Sequence, residues 1–383
     1  MKRINGVSLF ANVGLAESYL KELGIDIVLA NELVKERANF YKHLYPDTEV
    51  ICGDITNDAV RNHVIDKAIE KDCQFLIATP PCQGMSKHGK QDPNDERNFL
   101  IYYAIDAIKR IKPSYVLLEN VPKQLTTKIS VNGEDILIPV YIKNELCAEY
   151  VIYEKNLFNS AYYGVPQSRE RCIMRMVRKD ISVLWEEPKK QKPISLQQAI
   201  GHLPSLDPLV REKEYQNMFP HFEKKKKEGA LVSKWHTPPT HSWNHICWMM
   251  HTPSGKTAFE NSKYYPQKKD GKIISGRIST YKRFSWDKPA NTITQNNGVI
   301  SSSVCVHPGR YIGTDKNGDN IYSDARVLTI YELLIVSSLP TDWNIPEWAS
   351  EKLIRNVIGE GVPPLLIKAI VKPLVDQINK KEE

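Results

Sequence analysis

Short apolar runs and helix-forming stretches take turns along the first third of this 383-residue chain, and that alternation constrains the fold more than any other feature. VSLF (7–10), DIVLA (26–30), EVICGD (49–54), FLIATP (75–80) and YVLLEN (115–120) read as buried strands rich in Val, Ile and Leu. Helical patterns lie around 16–23, 33–43, 57–70 and 97–110. Strand and helix in strict alternation require right-handed crossovers. The expectation is an α/β fold with a doubly wound, mostly parallel, Rossmann-like sheet. Ligands of such sheets sit beyond the carboxyl ends of the strands. Those ends carry Phe10–Gly14, Glu32, Asp54, Cys82 and Glu119–Asn120.

From about residue 186 the alternation fades, and prolines, lysines and aromatics interleave. Charge separates the segments as well. Residues 186–325 hold 21 Lys+Arg against 13 Asp+Glu, whereas the rest of the chain holds 31 against 32. A nearly neutral body carrying one basic module suits a polyanion as partner, although a basic surface with no partner has the same composition. FEKKKKEG (222–229) reads as an exposed loop and TDKNGDNIYSD (314–324) as a turn. Helical periodicity returns in RVLTIYELLIVSSL and PPLLIKAIVKPLVDQI. The simplest layout is a catalytic and cofactor-binding domain of 1–185, a basic insert of 186–325, and a segment of 326–383 that completes the first domain.

Seven scattered cysteines without a CxxC pair argue against a disulfide framework. The opening MKRINGVSLFANVG has too short an apolar run for a secretory leader, and no stretch approaches membrane-span length. A cytoplasmic protein that does not enter a membrane is expected. His236, His241, His245, Cys247 and His251 crowd into WHTPPTHSWNHICWMMH, yet their spacing matches no zinc module, so no metal is expected.

Three short pieces carry chemistry. In IATPPCQGMS (77–86) two prolines stiffen a turn around Cys82, either an inert small side chain or a displayed nucleophilic thiol. In LLENVP, Glu119 ends a buried strand, where desolvation raises a carboxyl pKa and favours proton donation; a satisfied turn residue is the plainer reading. In YGVPQSRERC (163–172), Arg169 and Arg171 alternate as the chain enters a strand and share one face.

In this order the pieces resemble the cytosine-5 DNA methyltransferases of restriction-modification systems. PPCQGMS is similar to that family's nucleophile motif, ENVP to its acid motif and QSRER to its arginine motif. RVLTIYELLIVSSLP (326–340), GEGVPPLL (359–366) and the front loop LFANVG (9–14) extend the likeness over most of the chain. The resemblance implies methyl transfer from S-adenosylmethionine to carbon 5 of a cytosine in a short specific site of double-stranded DNA. The base is flipped out and held as a covalent Cys82 adduct. Glu119 would bind ring nitrogen 3, and Arg171 with Arg169 would hold the base. Phe10, Ala11, Asn12, Gly14, Glu32, Asp54 and Pro80 would bind the cofactor. Gln83, Ser86 and Lys87 would meet DNA, with His88 and Lys90 in the same lid. Within the insert, the target-recognition domain by the same likeness, Arg277, Lys282, Arg283, Arg310, Thr292 and Ile293 are the candidate DNA contacts. The protein is expected to act as a monomer without an obligatory protein partner. A tRNA cytosine-5 methyltransferase and a catalytically dead DNA-binding relative are the alternatives.

Asn12 and Leu15 replace two of the glycines usual in the family's front loop, and Glu360 stands where an Asn after Gly is usual. Asn tolerates left-handed backbone angles. The late helix motif has Ile330–Tyr331–Glu332 where Arg-Glu is common.

Overall fold

The computed structural model describes residues 3–81, 99–131, 133–268, 270–276 and 278–381. Cys82, Gln83, Ser86, Lys87, His88, Lys90 and Arg277 lie outside the described residues. The expected alternation appears as β1 (Ile4–Leu9), β2 (Ile25–Glu32), α1 (Lys35–Leu44), β3 (Glu49–Cys52), α2 (Asp58–Glu70), β4 (Phe75–Ala78), α3 (Leu100–Ile111) and β5 (Tyr115–Asn120). The five strands pair in parallel in the order β3-β2-β1-β4-β5, so the chain winds outward from β1 and then reverses to β4. Every side chain of β4 and β5 is buried, because helices cover both faces of the sheet.

A hairpin of β6 (Lys128–Val131) and β7 (Glu134–Leu137) leads into α4 (Ile138–Leu146), followed by β8 (Tyr150–Ile152), β9 (Leu157–Asn159) and β10 (Glu170–Arg178). β10 joins β5 antiparallel and takes β8 and β9 along its other edge. The sheet is therefore mixed, with its parallel half at the front.

One face is packed by α2, α3 and α4. α3 is amphipathic, with Ile101, Ala104, Ile105 and Ile108 on its buried stripe. α2 begins at Asn57, whose Oδ1 accepts from the Ala59 and Val60 amides at 2.9 and 3.3 Å. The opposite face is covered by the last helix of the chain. After α5 (Leu196–Ile200), α6 (Phe222–Val232), α7 (Trp243–Met250), α8 (Ile330–Val336) and α9 (Glu351–Glu360) comes α10 (Pro364–Lys380). It lays Leu366, Ile367, Ile370 and Leu374 on Phe75, Ile77, Leu117 and Ile173. A third core combines Val13, Leu15 and Phe40 with Ala290, Ile293 and residues of α8 and α9, so front loop, middle segment and C-terminal helices share one interior.

Two local expectations are corrected. Residues 222–229 form the start of α6 and not a loop: Lys and Glu are good helix formers, Lys224 pairs with Glu228 at 3.9 Å, and Lys225 reaches Asp207 at 2.6 Å. The stretch around 16–23 is a series of turns ending in a 3-10 segment, Lys21–Leu23, because the front loop consumes the length a helix would need. The clustered histidines turn to separate partners. His236 bonds Thr329 Oγ1 and the Pro204 carbonyl, His241 accepts from the Val327 amide, and His251 stacks on Tyr264.

Candidate active site

Register decides what meets at the carboxyl rim of the sheet. Leu9 pairs with Ala78, and Ala78 with Leu118, so the chain leaves β1, β4 and β5 at one level. Phe10, Pro80 and Glu119 are thereby neighbours across the winding reversal, where an open sheet leaves a crevice. Thr79 ties two of these exits together: its amide donates to the Leu9 carbonyl at 3.2 Å and its hydroxyl to the Phe10 carbonyl at 3.0 Å. Asn120 ties the third, its Nδ2 donating to the Pro80 carbonyl at 3.2 Å. Pro80 is buried and Pro81 exposed, so the chain emerges toward Cys82 from a fixed anchor. Asn120, named in sequence only as the end of its strand, is a positioning residue; the signal for that role was its place directly after Glu119.

Glu119 sits on β5 opposite Ile173 of β10, with Arg171 two residues upstream on the same face. Arg171 Nε meets Glu119 Oε1 at 2.9 Å, both side chains being more than nine-tenths buried. Burial lifts the Glu119 pKa above the ordinary carboxylate value, against the pull of Arg171 and Arg169. The result is a desolvated carboxyl held in place by a fixed cation, suited to hydrogen-bonding a ring nitrogen and sharing its proton.

Arg169 departs from the expectation of two arginines on one base. Its guanidinium donates to the carbonyls of Ile293 (2.6 Å), Gly359 (2.9 Å) and Glu360 (3.0 Å), so it organises backbone while its charge still reaches Glu119. Around it the QSR stretch grips the Thr-containing segment. Ser168 N donates to the Ala290 carbonyl, Ile293 N to Gln167 Oε1, and the Thr292 hydroxyl to the Ser168 carbonyl. Thr292 is exposed and Ile293 buried. The sequence thus brings 167–171, 290–295 and 359–360 to one seam.

On the other side of the rim, Phe10, Asn12 and Gly14 all take positive φ, at 58°, 51° and 78°. Only glycine suits Gly14, since a Cβ there would run into the rings of Tyr45 and Tyr41. Buried Ala11 donates to the Asn31 carbonyl, holding the loop against β2. The Glu32 carboxylate accepts from Asn12 N at 2.8 Å and Val34 N at 2.9 Å, which aims it along the loop. Asp54 is exposed, and its Oδ1 accepts from the Thr56 amide at 2.9 Å; the α2 cap itself is Asn57.

Among the middle-segment candidates, Lys282 is half-buried, and Arg310 stacks on Trp286 at 4.5 Å while its Nη2 donates to the Gly201 carbonyl at 2.6 Å. Arg283 is corrected. It is fully buried and its guanidinium donates to the carbonyls of Met249, His307 and Asp324, so it is a core strut and not a DNA contact. Its neighbours Tyr281 and Phe284, both buried, were the available signal.

The profile of the C-5 cytosine-specific DNA methylases matches residues 4–376. The chain belongs to that family. It is 42% identical to the type II methyltransferase M1.HgaI of Avibacterium volantium, over 98% of this chain and 99% of that one. In fold it is similar to Spodoptera frugiperda DNMT2, with a TM-score of 0.61 and 17% identity over 97% of this chain and 99% of that one. It is similar also to the Entamoeba histolytica methyltransferase EhMeth, with a TM-score of 0.60 and 15% identity over 99% of each chain. The protein is therefore a DNA (cytosine-5-)-methyltransferase of the restriction-modification type, and DNA is its substrate. No described helix of the methyltransferase is long and apolar enough to cross a membrane.

Proposed function

We propose that this methyltransferase modifies carbon 5 of a cytosine flipped out of a short specific duplex site, through a transient bond to Cys82. The observation that carries the reading is the buried Glu119–Arg171 pair beside the Asn120–Pro80 anchor from which the chain runs on to Cys82. The Cys82 thiolate adds to carbon 6 of the base, and the displaced electron pair flows toward carbon 5 and ring nitrogen 3. Burial raises the Glu119 pKa and so favours the protonated form; in that form Glu119 donates to nitrogen 3, while Arg171 holds Glu119 and supports the same charge. Once carbon 5 is methylated, its proton passes to water, Sγ leaves as the thiolate and nitrogen 3 returns its proton to Glu119, which restores the aromatic ring.

The rim residues fit S-adenosylmethionine. Asn12 Oδ1 is a buried acceptor without a hydrogen bond among the described residues, aimed from a loop of left-handed residues, and suits an ammonium donor. Each Glu32 oxygen takes one amide and keeps a lone pair for ribose hydroxyls. The exposed Asp54 would meet the adenine, with Phe10, Ala11, Gly14 and Pro80 lining the methionine part. When bound, the cofactor supplies the electrophilic methyl group.

The layout 1–185, 186–325 and 326–383 is kept as the functional division, with the basic middle segment reading DNA. Thr292 and Ile293 would face the target strand, Gln83, Ser86, Lys87 and Arg277 would contact DNA, and Lys282 a phosphate. A monomer in the cytoplasm is sufficient for this chemistry. The test is transfer of labelled methyl from S-adenosylmethionine to unmethylated duplex DNA, with RNA and Cys82→Ser in parallel. Label on duplex DNA that Cys82→Ser abolishes supports the reading, and base-resolved mapping then gives the site. Label on RNA alone overturns the DNA-reading assignment, and full activity of Cys82→Ser overturns the covalent mechanism.

A further inference from the structure

The Glu360 side chain stands where three segments distant in sequence converge. One oxygen accepts from Asn12 Nδ2 of the front loop at 3.1 Å. The carboxylate pairs with Arg37 of α1 at 2.8 Å, with both side chains three-quarters or more buried. It also accepts from Gln295 Nε2, three residues after Thr292. Backbone contacts at the same place are equally tight. The Glu360 carbonyl takes Arg169, a Cβ on Gly359 would strike the Thr294 carbonyl, and a Cβ on Gly361 would sit 2.7 Å from the Leu15 side chain. Asn12, Leu15 and Glu360, three positions singled out separately in the sequence, thus meet at one seam.

We propose that Glu360 is a positioning residue that couples the two ligand sites: it clamps the front loop to the Thr292–Gln295 stretch, so that filling one site raises affinity at the other. The inference rests on the proposed assignment of that loop to the cofactor and that stretch to DNA. The reasoning is geometric. Asn12 is held from one side by Glu32 and from the other by Glu360, so a ligand that orders the loop also fixes the carboxylate. A fixed carboxylate in turn fixes Gln295, close to Ile293, whose carbonyl accepts from Arg169, and to Thr294, whose carbonyl lies close against Gly359. Ordering needed at both sites is then met once, which is positive cooperativity.

The experiment measures the dissociation constant of S-adenosylhomocysteine, which cannot transfer methyl, with and without a duplex carrying the mapped site. The reciprocal measurement is made on the duplex. Wild type is expected to show the same enhancement in both directions, about fivefold or more. Gln295→Ala cuts only the DNA side of the clamp. It is expected to bind S-adenosylhomocysteine alone within about twofold of wild type while the enhancement falls to within about twofold of unity. Glu360→Ala is expected to lose the enhancement and weaken cofactor binding as well. An enhancement that survives Gln295→Ala, or is absent from wild type, overturns the coupling. Failure of wild type to bind S-adenosylhomocysteine at all overturns the cofactor assignment and the coupling with it.

Discussion

Glu119 and Glu17 are both buried carboxyls with raised pKa values, and their surroundings give them opposite uses. Glu119 faces Arg171 at a strand end, where the proposed mechanism has its carboxyl hand a proton to the base. If the protonated form acts, single-turnover methyl transfer must fall as pH rises through its elevated pKa. Glu119→Gln should lower that rate by about 100-fold or more and remove the descending limb. A variant that keeps the wild-type rate removes Glu119 from the mechanism. Glu17 lies behind the front loop, and burial pushes it up to about 7 against a hydrogen bond from Ser8. Its Oε2 makes no hydrogen bond among the described residues. Between the unfolded value of 4.5 and about 7 the native state binds the extra proton, so stability falls as pH rises across that window. The cost above neutrality is on the order of 3 kcal/mol. Glu17→Gln should therefore match wild type in urea unfolding near pH 4.5 and exceed it near pH 8; equal midpoints at both pH values would show that Glu17 does not titrate in this range.

At the scale of elements, the parallel half of the sheet was legible because its strands are short, apolar and locally bounded. That the cofactor and acid candidates share one rim was legible for the same reason, since strand ends in a doubly wound sheet lie together. What escaped was whatever depends on distant partners. In sequence Arg169 looks like a holder of the flipped base and Arg283 like a DNA contact. Their partners are backbone carbonyls 124 and 190 residues from Arg169, and 24, 34 and 41 residues from Arg283. The α8 anchor was hidden for another reason: its partners lie only two and six residues away, but nothing in the sequence shows that they are buried. Arg326 binds Asp324 at 2.8 Å and both oxygens of Glu332 at 2.8 and 2.9 Å, all three residues being fully or nearly fully buried. Glu332 simultaneously completes the capping box with Thr329. A well-packed apolar replacement of a whole buried ion triad can be harmless, but removal of its one cation leaves two buried carboxylates. Arg326→Met should thus destabilise by about 3–5 kcal/mol, read as a lower urea midpoint. Asp324→Asn with Glu332→Gln in the Arg326→Met background should recover part of the loss; no recovery would mean that packing and not charge holds α8.

Across the whole molecule, the separation of charge is the feature that touches most on function. The body outside 186–325 is close to neutral, and the excess of cations belongs to the middle segment. Two of its arginines are unavailable to solvent phosphate in full measure: Arg283 is a core strut, and Arg310 is engaged by Trp286 and the Gly201 carbonyl. If the middle segment reads DNA as proposed, its affinity comes from its lysines and remaining arginines acting on phosphate, and such contacts release condensed counterions. The logarithm of the association constant should fall linearly with the logarithm of salt concentration, by about 0.9 per phosphate neutralised. Six such contacts would weaken binding about 1,000-fold between roughly 50 and 200 mM salt. Phosphate contacts carry no sequence information, so a non-specific duplex should give a line nearly parallel to that of the mapped site. The vertical gap between the lines then measures base readout. Fluorescence anisotropy over a salt series makes the comparison. A flat line for both duplexes would show that the basic segment is not the surface that meets DNA, whereas a steep line for the mapped site alone would place the cations in base reading.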